Sequence, residues 1–183
     1  MAIPPAEFTR AMARVPGPVT VVTTIDAAGQ RWGFTASSFS SLSLSPPLVL
    51  ICLDKAASTY EAFATTDRFM INVLRREQSA IALRFARSGV DRFADGDVVP
   101  LERGLPGIPE ALVRVACSLH QVLDGGDHSI LIGRVEATHV GDGAPLIYCD
   151  RGFQRLSEDA PQPLQGVGSG SEGRSLALFR SRR

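Results

Sequence analysis

Lysine is almost missing: Lys55 is the only one among nineteen basic residues, and the rest are arginine. Nineteen acidic residues balance them, so the formal net charge is zero. A chain that neutralises many phosphates carries a basic surplus, so nucleic-acid binding is not expected. The acidic surplus of a calcium buffer is lacking too. Cysteine is scarce: Cys52, Cys117 and Cys149 are odd in number, widely spaced and without a CxxC pair. That pattern argues for a reducing compartment and against a disulfide framework or a zinc site. The longest strongly apolar run, 48–53, falls far short of the ~20 residues of a membrane span. The opening MAIPPAEFTR has neither the basic nor the apolar region of a secretory signal. The expectation is a soluble cytoplasmic protein without nucleic-acid, membrane or metal partners.

What is present fits one domain of ordinary size, since 183 residues fall in the common range of about 100–200. Phe8, Met12 and Val15 recur at helical spacing and predict a short amphipathic helix over 5–15, stopped by Pro16 and Pro18. β-branched residues predict a strand over 19–25, and an Asp26–Gly29 turn returns the chain along 30–36 as a hairpin. A serine-rich stretch over 37–45 follows, and Pro46-Pro47 opens a buried strand at 48–53. A helix is expected over 58–65, with Ser58 as N-cap and Glu61 completing a capping box. A strand at 68–74 and a helix at 77–87 come next. The glycines and prolines of 88–109 read as a long surface excursion. Two long strands, 111–123 and 128–140, flank a turn at 124–127, and a further turn leads into 146–149.

Helices and strands do not alternate regularly, which disfavours a doubly wound parallel sheet. About seven mostly hairpin-linked strands with three short helices fit a closed or partly split antiparallel β-barrel. The domain is expected to end near 157. The glycine- and serine-rich tail, 158–183, reads as an untethered C-terminus rather than a partner-docking peptide.

Motifs of catalysis are mostly missing. No GxGxxG follows a strand, and there is no P-loop, no GxSxG elbow and no HExxH. His120, His128 and His139 lie too far apart in sequence to suggest a metal site. One block remains, Gly33 to Ser41, followed by Cys52, Leu53, Asp54, Lys55 and Ser58. Small hydroxylated residues at a strand end leave backbone groups open to a ligand, and Ala36 offers no bulk against it. Hydroxyls, the Lys55 ammonium and a helix N-terminus at Ser58 suit a planar phosphorylated ligand such as a flavin nucleotide. The same residues also fit a solvated loop and a simple capping box. Cys52 reads as a small buried hydrophobe, and His128, beside a turn, as a solvated turn residue.

The segment GFTASSFSSLSLSPPLVLICLDKAAST resembles the signature of the short-chain flavin reductases, the small components of two-component flavin monooxygenases. The resemblance continues through RFMINVL, LRFA with Asp91-Arg92-Phe93, Gly126-Asp127-His128 and PLIYCDRGFQRL, and spans roughly residues 7 to 156. It implies an FMN-binding split β-barrel, mainly β with a few short peripheral helices and a Greek-key order, assembled as a homodimer. It also implies reduction of free FAD or FMN by NADH or NADPH, with hydride transfer to flavin N5. Carried over by position, Thr35, Ala36, Ser37 and Ser38 would meet the isoalloxazine and ribityl parts. Cys52, Leu53, Asp54 and Lys55 would line the next stretch, Ser58 and Thr59 the phosphate, and Phe85, Arg92 and Phe93 the flavin's far end. His128 would stand beside the nicotinamide, and Tyr148 is either a second substrate contact or a packed core side chain. Ala57 departs from the asparagine of many relatives, which weakens the phosphate assignment. Reduced flavin would then diffuse to a flavin-dependent monooxygenase. Two alternatives stay open: a carrier or other-acceptor reductase holding flavin tightly, and a non-catalytic flavin-binding module.

Overall fold

A computed structural model describes residues 3–154; the expected tail lies outside the described residues. The elements are α1 (Pro5–Met12), β1 (Gly17–Pro18), β2 (Thr20–Ile25), β3 (Arg31–Ala36), β4 (Ser40–Ser43), β5 (Leu48–Asp54), α2 (Tyr60–Ala64), β6 (Arg68–Val73), α3 (Ser79–Ala86), β7 (Val99–Pro100), β8 (Pro106–Gly107), β9 (Val113–Gly125), β10 (His128–Val140), β11 (Ile147–Cys149) and β12 (Gly152–Gln154). Seven strands form one antiparallel sheet in the order β3-β2-β6-β9-β10-β5-β4.

The connectivity forces this sheet to curl. β3 and β4 are its opposite edges, and laid flat seven strands would hold them ~29 Å apart. Only three residues, 37–39, join them, and such a link reaches ~14 Å at most. The edges therefore come together, and β3 lies against β5. The seam is not a backbone ladder at the β3 end. There the Ser38 hydroxyl accepts the Cys52 N–H at 2.9 Å. The result is the expected mainly β split barrel.

Two cores flank the curled sheet. Inside, Val22, Phe34, Ile51, Phe63, Phe69 and Leu131 interdigitate, with Phe34 edge-on to Phe63 at 4.9 Å. Outside, Val21, Leu74, Ala82, Phe85, Val98 and Ile108 pack α3 and the following segment onto β2 and β6. With both faces covered, β2 and β6 are buried at successive positions instead of alternate ones.

The segment 88–109 differs from expectation. Phe93, Val98, Leu105 and Ile108 are buried, and β7 pairs with β8. Asn72, fully buried, fastens the segment: its amide donates to the Val21 carbonyl at 3.0 Å and its oxygen accepts the Ile108 N–H at 2.9 Å. Arg114, 7% exposed, gives Nε and Nη2 to the Glu102 carboxylate and Nη1 to the Pro109 carbonyl. Apolar residues at irregular spacing show no period in sequence, yet each finds the core individually. In α1 the helix forms, but its apolar residues Phe8 and Met12 stay exposed.

Candidate active site

The split between β3 and β5 opens a cavity of about 430 Å³, within the range of small-molecule sites. β3 is an edge strand, and β5 pairs with β4 only as far as Leu50. From Cys52 to Asp54 the outer edge of β5 therefore faces β3 across open space. Thr35, Ala36, Ser37 and Ser38 line one wall, and Cys52, Leu53 and Asp54 the opposite one. Ser58 and Thr59 close one end, Phe85 and Arg92 another, and His128 stands at the rim. Phe34, Ala57, Ala86 and Ser88 line it as well, and sequence reasoning did not single them out as site residues. Ala57 and Ala86 carry no functional group, so only space identifies them.

Hydroxyl groups divide into spent and free. Thr35 donates to the Ala82 carbonyl at 2.6 Å and ties β3 to α3. Ser38 is spent on Cys52. Ser37, Ser58 and Ser88 are exposed, open to a ligand. Thr59 stands apart: it is 1% exposed, lines the cavity, and its Oγ1 has no hydrogen-bond partner. A buried hydroxyl left unpaired costs roughly 1–3 kcal/mol, so it is a donor waiting for an acceptor. That observation fits a phosphorylated ligand.

The local fold at this end departs from the expected capping box. Asp54 forms an Asx turn, its Oδ1 accepting the Ala56 N–H at 2.8 Å. The helix consequently starts at Tyr60 behind an uncapped Thr59. Ser58 lies on the preceding turn and Glu61 makes no box. α2 is too short to offer a helix-terminus site.

Three other residues sit differently from the expected placement. Lys55 does not line the cavity; its Nζ donates to Asp124 Oδ2 at 3.0 Å and to the Gly126 carbonyl at 2.6 Å. Opposite charge on the neighbouring hairpin draws it there. Among the described residues, the cation that lines the cavity is Arg92, whose Nε and Nη2 also donate to the Arg87 carbonyl. Phe93 lies behind the wall, 8% exposed, edge-on to Phe85 at 5.2 Å and beneath the Arg31 guanidinium. It braces Phe85. A Cβ at Gly33 would meet the Phe85 ring at 2.7 Å, so glycine is what lets this ring approach β3 so closely. Cys52 is half-buried and faces the cavity, whereas Cys117 is the buried thiol, pushed up to about 12 by burial.

Tyr148 lines an adjoining, mostly apolar cavity of about 530 Å³ that shares Thr35, Ala36, Ser37 and Ala86 with the first. Its ring packs edge-on against Phe153 at 6.2 Å and remains partly exposed.

At the rim, His128 is the first residue of β10 and pairs with Asp54 on one side and Gly125 on the other. Its Nδ1 lies 2.7 Å from Asp127 Oδ1. That hydrogen bond holds the Asp127 carboxyl below its ordinary value of 3.8. A carboxylate can only accept, so in the neutral ring the proton sits on Nδ1 and Nε2 is an acceptor.

Residues 12–157 match the family model described as a flavin reductase like domain. The chain belongs to this family. Among relatives of the flavin reductase-like chain is an NADH:riboflavin 5'-phosphate oxidoreductase of Streptomyces pristinaespiralis. It is 39% identical over 87% of this chain and 93% of its own. The reductase subunit HsaB of a flavin-dependent monooxygenase from Rhodococcus jostii is 35% identical, with 88% and 83% covered. In three dimensions the chain is similar to the NADH:FAD oxidoreductase SgcE6 of Streptomyces globisporus, solved with NAD and FAD fragments. There the identity is 34%, the TM-score 0.81, and the coverage 87% of this chain and 99% of that one. Among the described residues no helix is long and apolar enough to cross a membrane, and no side-chain cluster could hold a metal ion.

Proposed function

We propose that this protein is an NAD(P)H:flavin oxidoreductase that reduces free FAD or FMN and supplies the reduced flavin to a partner flavin-dependent monooxygenase. Membership of the family and the names of its relatives support the reading. The observation that carries it is the cavity itself, where the unpaired Thr59 hydroxyl, the β3 and β5 edges and His128 converge.

When bound, the two cofactors supply the redox chemistry, a hydride passing from the nicotinamide to the flavin ring. This chain's residues bind and orient. Thr59 and Ser58 suit the phosphate-bearing part, Arg92 the opposite end of the ligand, and the open edge of β3 over Ala36 a planar ring. His128 would accept a hydrogen bond from the nicotinamide carboxamide at Nε2. Face-to-face positioning needs no acid–base dyad, and among the described residues the cavity lining holds one carboxylate, Asp54, and not a pair. NADH is the preferred donor, because among the described residues Arg92 is the one arginine or lysine lining the cavity and already serves the Arg87 carbonyl. A homodimer belongs to the proposal, with Phe8, Met12 and Leu83 as exposed apolar side chains available to it; a monomeric sedimentation coefficient removes that part.

Replacing His128 by alanine tests the assignment. Loss of one hydrogen bond predicts a KM for NADH raised about tenfold, with the flavin dissociation constant unmoved. An unchanged KM with flavin reduction abolished would show that His128 takes part in the chemistry itself and overturn the positioning role.

A further inference from the structure

We propose that Lys55 and Asp124 are positioning residues for His128, clamping the turn between β9 and β10 so that the imidazole is held at the cavity rim. The proposal rests on the reading of that cavity as the nicotinamide–flavin site.

The turn is two residues long, Gly126 and Asp127, with Gly126 at φ 87° in the left-handed region that favours glycine. It projects into solvent: the side chains of Asp124 and Asp127 are 79% and 92% exposed. A bare hairpin tip of this kind would be mobile. Besides the Asp127–His128 contact, four hydrogen bonds among the described residues brace it. Asp124 Oδ1 accepts the Gly126 N–H at 2.8 Å, a bond local to the hairpin. The other three come from one distant residue. Lys55 Nζ donates to Asp124 Oδ2 at 3.0 Å and to the Gly126 carbonyl at 2.6 Å, and the Lys55 backbone N–H donates to the Asp127 carbonyl at 3.0 Å. Lys55 thus grips the turn with side chain and backbone together, immediately beyond the β5 residue, Asp54, that pairs with His128.

The charges follow the same plan. The Asp124 carboxyl lies below its ordinary value, through the Gly126 N–H first and Lys55 second, and Lys55 also helps to keep Asp127 ionised. An ionised Asp127 is what sets the Nδ1–H tautomer of His128. An exposed ion pair contributes little to global stability, so the consequence of the clamp is local. It fixes the direction of Nε2 rather than the fold.

Lys55→Met is expected to raise the KM for NADH about three- to tenfold, with the rate recovering at saturating NADH. The flavin dissociation constant should stay within about twofold and the Tm within about 2 °C of the parent. Asp124→Asn should give the same shift, the double variant no more than either single one, and Lys55→Arg should restore the parent value. A second readout needs no turnover. In the ligand-free protein, ¹⁵N relaxation should show rigid Gly126, Asp127 and His128 amides in the parent and Lys55→Arg, and mobile ones in Lys55→Met and Asp124→Asn. A weakened flavin affinity with an unmoved KM for NADH would assign Lys55 to the flavin phosphate and overturn the clamp. Unchanged KM and unchanged relaxation would overturn it as well. Absence of any flavin-dependent NADH oxidation in the parent would overturn the parent reading, an outcome distinct from a parent that turns over beside variants that match it.

Discussion

Thr59→Val is expected to move stability and affinity in opposite directions. The side chains have nearly the same shape, and Thr59 is buried with its hydroxyl unpaired. Removing a buried donor that has no partner should stabilise the ligand-free protein by about 1–2 kcal/mol. The same change deletes the hydrogen bond offered to a bound phosphate or ribityl oxygen, so flavin affinity should fall about ten- to a hundredfold. Thermal melts without flavin and a fluorescence-quenching titration with it measure both. A variant that loses stability, or that binds flavin as the parent does, would show that the hydroxyl serves the fold rather than the ligand.

Glu102→Gln should produce the largest loss of stability among conservative substitutions. It leaves the Arg114 guanidinium, 7% exposed, without its counter-charge. Breaking such a pair costs several kcal/mol in a fully buried setting; with Glu102 at 21% exposure, about 2–3 kcal/mol is expected. The pH dependence has a definite sign. The hydrogen bond from Arg114 holds the Glu102 carboxyl below its ordinary value of 4.5. Its contribution is therefore complete above that value and is lost as pH falls through the lower, folded one. The difference between parent and variant in urea unfolding should be full at pH 7 and shrink as the pH drops below about 4.5. A gap that stays constant, or widens in acid, would contradict the pairing. Flavin affinity should not change, because neither residue lines the cavity.

These two positions illustrate what the sequence makes legible. The β hairpins were readable because β-branched runs meet glycine-containing turns, and the split barrel followed from hairpin-linked strands together with the family resemblance. The boundary of α2 was not. Ser58 and Glu61 have the spacing of a capping box, but the Asx turn at Asp54 competes for the same backbone and delays the helix to Tyr60. That delay is what buries Thr59 beside the cavity. Lys55 looked like a phosphate ligand because its partners, Asp124 and Gly126, are about seventy residues away in sequence and reach it only through β5–β10 pairing. Phe93 sits next to Arg92 in the motif, yet adjacent side chains point to different places, and only Arg92 reaches the cavity. The 88–109 segment carries no periodicity, so its burial depends on individual contacts such as that of Asn72 with Ile108.

The reductase reading stands or falls on the rate of NADH oxidation by the purified protein as the concentration of added FAD or FMN is raised. The expected rate rises with free flavin and saturates, and it falls when NADPH replaces NADH. Measurable flavin binding without oxidation of either nicotinamide, or oxidation indifferent to added flavin, would contradict that reading.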